Sequence, residues 1–164
     1  MKRLILLMIT CYCLLPGRAN TDIASDSLLQ VLQTLPHDTT RLSTLNDIIK
    51  IEQNNYKCIQ YSDTLMQEAL KLKNDKYASL AAYYHLLYYY NRSEQDSVAK
   101  WIVRMEPYVQ RSGLWDYFFD AQRFQIDLYT FTEQYELAIS EANKMKQKAL
   151  NTNSNRGTVA AYQC

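Results

Sequence analysis

Glycine and proline are scarce here, three of each in 164 residues. Hairpins need Asn-Gly or Gly-rich turns between alternating strands, and no segment alternates polar and apolar residues over six positions. A sheet is not expected, and the class is all-α. Cysteine is equally thin: of four, Cys11 and Cys13 lie in the N-terminal apolar run, leaving Cys58 and Cys164. Two cysteines are no disulfide framework, so an apolar core must carry the fold.

Catalytic signatures are missing too. The chain has no Gly-x-Ser-x-Gly, no phosphate-binding glycine loop and no Cys-His pair in a known context, so no catalytic residue, no cofactor and no enzymatic activity is expected. Neither His37 nor His85 has a carboxylate or cysteine three or four residues on. Metal binding needs several converging ligands, and none is expected.

Charge of one sign and long hydrophobic runs are lacking as well. Lys and Arg number 18 against 17 Asp and Glu. The one long apolar run, Leu4 to Leu15, has twelve residues, fewer than the roughly 20 that span a bilayer. Lys2 and Arg3 precede it, and Gly17-Arg18-Ala19 supplies small residues at the positions a signal peptidase reads. Residues 1–19 therefore read as a signal peptide, and the protein as exported to the periplasm. No small residue precedes Cys11 or Cys13 as a lipidation signal requires, so membrane attachment would need an uncleaved leader or a downstream segment. Without the leader, 15 basic residues face 17 acidic ones, a net charge of −2 over 145 residues. Nucleic acid is excluded as a partner on that balance.

What remains is helical punctuation. A short helix is expected from Ser27 to Leu35, stopped by Pro36, with residues 20–38 as an N-terminal helix and cap. Asp38 is a plausible N-cap for a second helix, Thr39 to Gln53, with Leu42, Leu45, Ile48, Ile49 and Glu52 at spacings of three and four, ended by Asn54-Asn55. A third, Tyr56 to Lys73, carries Ile59, Leu65, Met66, Ala69, Leu70 and Leu72. A fourth runs from Lys76 to Asn91. Ser93 with Asp96 reads as a capping box opening a fifth that Gly113 closes, with a kink or early end near Glu106 at Pro107. Leu114 to Phe131 and Glu133 to Leu150 follow, then a loop over Asn151 to Asn155 and an eighth helix from Thr158 to Cys164.

Tyrosine, by contrast, is abundant, with 14 in all and five between Ala81 and Asn91. Apolar bodies surround most of this fourth helix: Tyr77, Leu80, Tyr84 and Leu87 in one stripe, Tyr83, Leu86 and Tyr90 in another. Such a helix packs between neighbours on several sides. Its tyrosines are expected to be chiefly core, and Tyr83, Tyr88, Tyr90 and Asn91 are the candidates for contact with a partner. On the sixth helix, Asp116, Asp120 and Asp127 share a face, expected to be solvated.

Three helix pairs start near residues 39, 76 and 114, spacings of 37 and 38 that suit stacked αα-hairpins. Leu80, Ala81 and Tyr84 in the fourth helix, and Tyr135 followed by Ala138 in the seventh, resemble the tetratricopeptide repeat. The likeness covers residues 39–164, with the last repeat incomplete, and is degenerate: Gln125-Ile126 replaces the large-small pair, and Cys58-Ile59 stands where alanine would be expected. It implies a right-handed αα-hairpin solenoid with a concave surface lined by the first helices of the pairs. "DSLLQVLQTLPHDTTRLSTLND" after a leader, then "YELAISEANKM" and "GTVAAYQC", resembles the periplasmic tetratricopeptide-like sensor region of Bacteroidetes two-component sensor histidine kinases and related membrane regulators. In that family a transmembrane helix and a kinase or DNA-binding output follow the repeats. The resemblance implies a sensing or protein-interaction module taking a protein or peptide ligand or self-associating. The alternative is a secreted or surface protein binding glycans or peptides.

Overall fold

The computed structural model describes residues 17–53 and 55–164, with backbone only for residues 17–23. The leader expected over residues 1–19 lies outside the described residues except for its last three. Asn54, expected to help end the second helix, lies outside them as well.

Eight helices make up the described chain, with no strand among the described residues. They are α1 (Gly17–Thr34), α2 (Thr39–Glu52), α3 (Lys57–Lys71), α4 (Asp75–Tyr90), α5 (Gln95–Ser112), α6 (Trp115–Phe131), α7 (Tyr135–Asn151) and α8 (Asn155–Gln163). The first helix is longer than the expected Ser27–Leu35. No proline or glycine interrupts residues 18–35, and its inner face buries Ser25 and Leu32. Asp38 caps α2 as expected, its carboxylate accepting from the Thr40 and Arg41 amides at 2.8 and 3.3 Å.

Helix starts keep strict time. Thr39, Lys57 and Asp75 lie 18 residues apart, and Asp75, Gln95, Trp115, Tyr135 and Asn155 lie 20 apart. First helices of successive pairs are thus separated by 36, 40 and 40 residues, not by 37 and 38. The same turn recurs with the longer step. Lys73, Ser93, Gly113, Glu133 and Asn153 all have positive φ, between 51 and 76°. At four of them the next residue's amide donates to the carbonyl five back, as Asn74 does to Ala69 at 2.8 Å and Gln134 to Tyr129 at 2.8 Å. Gly113 instead donates to Val109 at 2.8 Å. These are the Schellman and single-bond forms of one left-handed helix stop.

That turn corrects two expectations. Ser93 is the left-handed residue ending α4, not a cap; Glu94 precedes α5 and makes no side-chain cap bond. The polar run after Leu150 is not a five-residue loop, because α7 continues to Asn151 and Ser154 caps α8 by accepting from the Gly157 amide at 3.0 Å. Nor does Pro107 end α5 early. Pro107 and Val103 sit on the exposed face of α5, where water can take the Val103 carbonyl that loses its donor.

Each helix packs on the next, and α2, α4, α6 and α8 also pack on one another in order. No comparable contact joins α3 to α5 or α5 to α7 among the described residues. The core follows this connectivity. Leu42, Leu45, Ile48 and Ile49 from α2, Leu65 from α3, Leu86 from α4, Met105 from α5 and Phe118 and Phe119 from α6 are fully buried. Leu70 of α3 and Leu72 just past its end, by contrast, stay exposed. As the fourth helix's all-round apolar pattern requires, α4 touches α2, α3, α5 and α6.

Candidate functional site

The packing of α4 on α6 gathers aromatic rings along one face. Tyr83 meets Tyr117 edge-on with centroids 5.0 Å apart and Tyr84 at 5.9 Å. Seven residues on, Tyr90 stacks on Phe124 at 4.3 Å and 21°, and the Phe124 ring lies 6.4 Å from Tyr83. Seven residues are about two helical turns, so Tyr83 and Tyr90 lie nearly in line on α4, as do Tyr117 and Phe124 on α6. The two rows interleave into a half-buried aromatic strip.

Charges border the strip in pairs. Arg156 of α8 reaches Asp120 of α6 at 2.7 Å, and Arg123 lies 3.8 Å from Asp127 one turn along α6. The row of aspartates is therefore only partly the solvated face expected: Asp116 is exposed, while Asp120 and Asp127 carry partners. Arg123 also lies over the Phe124 ring at 5.2 Å. Burial pushes the Tyr83 phenol up to about 12, with the Asp120 charge acting in the same direction. Tyr90 is raised by burial and then by Asp127. Both hydroxyls stay protonated at neutral pH and remain donors. A hollow of about 460 Å³ continues the face between α6 and α8, lined by Asp120, Arg123, Arg156, Val159 and Gln163.

Of the four candidates, the structure brings Tyr83 and Tyr90 together through Phe124 and leaves the other two apart. Tyr88 is buried, with the Arg92 guanidinium 3.4 Å from its ring centroid and Tyr89 edge-on at 5.4 Å. Asn91 terminates α4, its amide donating to Leu87 at 3.1 Å. Sequence reading missed Tyr117, Phe124, Arg123 and Arg156. The signal was there: two aromatic pairs at the same seven-residue separation on successive first helices.

The rest of the tyrosine helix is core. Tyr84 sends its hydroxyl to Asn46 Oδ1 of α2 at 3.0 Å inside the buried interior, and burial raises its phenol strongly. His85 is buried, stacked on Trp101 at 4.0 Å and 4°, and its Nε2 lies 3.1 Å from Asp63 of α3, misaligned for a hydrogen bond. Arg104 covers the Trp101 ring at 4.6 Å. Burial lowers the His85 value, outweighing Asp63. His37 is exposed, 3.6 Å from Glu68, whose two carboxylate oxygens both accept from Arg41 Nε at 2.9 Å.

Among the described residues, no group of three or more histidine, cysteine or acidic side chains is placed to hold a metal ion, and no helix is long and apolar enough to cross a membrane. Comparison of the chain with known protein families, with curated proteins and with solved structures gives no match.

Proposed function

We propose that this chain is an exported interaction and sensing module, a right-handed αα-hairpin solenoid of the tetratricopeptide kind without chemistry of its own. In this reading it is the N-terminal sensor part of a signal-transduction protein. The ordered contact among α2, α4, α6 and α8, with α3, α5 and α7 held apart, supports the solenoid. First helices stacked in this way line one continuous surface, while the second helices form the opposite side. The observation that carries the functional reading is the strip of Tyr83, Tyr90, Tyr117 and Phe124, bordered by Arg123 and Arg156 on that surface.

Half-buried rings offer contact area at little entropic cost, and the neighbouring arginines and aspartates can exchange their mutual pairs for a partner's charges. An extended peptide or a loop of a partner domain, with an apolar side chain for the strip and a carboxylate for Arg123 or Arg156, fits this chemistry. The test is selection of peptides from a random displayed library against the folded chain. Selected peptides should share an apolar and an acidic position and lose binding to Arg123→Glu and to Phe124→Ser. Undiminished binding to both variants would remove the strip as the docking surface.

A further inference from the structure

A second concavity lies on the opposite side, where α5 and α7 fail to pack. Trp115, the first residue of α6, floors a cleft of about 740 Å³ whose walls are α5 and α7. From α7 come Ser140, Asn143, Lys144, Gln147 and Asn151, at helical offsets of 0, 3, 4, 7 and 11. They form one stripe, about 16 Å long at 1.5 Å per residue, with no apolar side chain in it. From α5 come Glu106 and Gln110.

The charges in the cleft are already matched. Lys148 hydrogen-bonds Glu106 across it, and Lys144 holds Glu141 at 2.6 Å on α7. The amides are not matched. Gln110, Asn143, Gln147 and Asn151 make no side-chain hydrogen bond within the described protein, and neither does the Trp115 indole N–H. A cleft with an aromatic floor, four unengaged amides and no uncompensated charge discriminates among ligands. An anion would have to displace Glu106 or Glu141 to reach a lysine. A peptide finds amides for its backbone, but for the apolar side chains that supply much of its specificity only the Trp115 ring among the lining residues. A pyranose offers an apolar C–H face for an indole and a rim of hydroxyls that both donate and accept, which amides satisfy in pairs. The stripe's length suits three or four sugar rings.

We infer that the α5–α7 cleft is a binding site for a short neutral oligosaccharide. The site is distinct from the Tyr83–Phe124 strip: it is walled by α5 and α7, shares only α6 with the strip through Trp115, and no residue belongs to both.

The test is titration of the full chain with neutral four- to six-residue gluco-, xylo-, manno- and chito-oligosaccharides, read by calorimetry and by Trp fluorescence. At least one class should bind with a Kd of about 1 mM or tighter. Asn143→Ala with Gln147→Ala, two exposed positions whose loss leaves the core intact, should weaken it by about tenfold or more. Phe124→Ser should leave it unchanged. Absence of binding by every class overturns the proposal, and so does binding that survives the double substitution. Preference for an uncharged Gly-Ser peptide over every sugar would assign the cleft to a peptide backbone instead. A folded double variant that still binds the library-selected peptides keeps failure here distinct from failure at the strip.

Discussion

At the scale of single residues, Tyr84 shows how one side chain serves two layers of the core. Its ring fills the space between α4 and its neighbours, and its hydroxyl supplies the Asn46 carbonyl oxygen with a buried donor. Tyr84→Ala should remove about 3–5 kcal/mol in chemical denaturation, as deletion of a large buried ring does. Tyr84→Phe should remove about 1–2 kcal/mol, because Asn46 Oδ1 then stays buried without its donor. An unchanged Phe variant would mean that water replaces the hydroxyl. His85 adds a pH dependence. Its folded value lies below 6.5, so the unfolded chain binds the proton more readily. Its contribution to stability is complete above that value and is lost as pH falls from 6.5 toward the folded one. Asp63 from α3 favours the charged ring and Arg104 from α5 opposes it, and burial decides the direction. His85→Phe, which can still stack on Trp101, should flatten the decline of the melting temperature below neutrality. An equally steep decline in the variant would place the responsible group elsewhere.

At the scale of elements, the helices were legible and their exact timing was not. Pro36, Asn74 and Gly113 mark boundaries that the structure keeps, since each acts through a local rule: no donor, a side-chain cap, a left-handed φ. The period escaped because its marker is a conformation that most of its residues do not advertise. Lys73, Ser93 and Glu133 adopt the left-handed φ that Gly113 adopts freely. Three polar residues of different chemistry leave no pattern to read, and Ser93 invited a capping reading instead. Likewise the equal seven-residue spacing of Tyr83 with Tyr90 and of Tyr117 with Phe124 stands in the sequence, but which ring meets which does not, because the register of α6 against α4 is a tertiary fact. The turns carry a prediction. Glu133 at φ 60° is strained in a way glycine is not. Glu133→Gly should therefore be neutral or stabilise by up to about 1 kcal/mol, although glycine usually destabilises. Glu133→Val should lower the midpoint, and a Gly variant that destabilises more than Val would contradict the turn geometry.

At the scale of the whole molecule, every helix contact joins neighbours one or two places apart, so stability spreads along the chain as a series of local interfaces. The interface of α8 with α6 is tightly gauged. A Cβ on Gly157 would come within 2.5–2.7 Å of the Phe119 ring, and Phe119 is fully buried between Trp115 and Phe118 and has nowhere to move. The glycine is there because backbone and ring touch. Gly157→Val should accordingly push α8 off α6. In a series of local interfaces the loss stays local: amide exchange should accelerate through α8 and the adjoining parts of α6 and α7. The amides of α2, α3 and the first half of α4 should keep their protection, because none of their contacts involves α8. Uniform acceleration from α2 to α8 would show one cooperative unit in place of a string of them. Wild-type protection of α8 in the variant would mean that the α6–α8 approach is looser than the Phe119 contact requires.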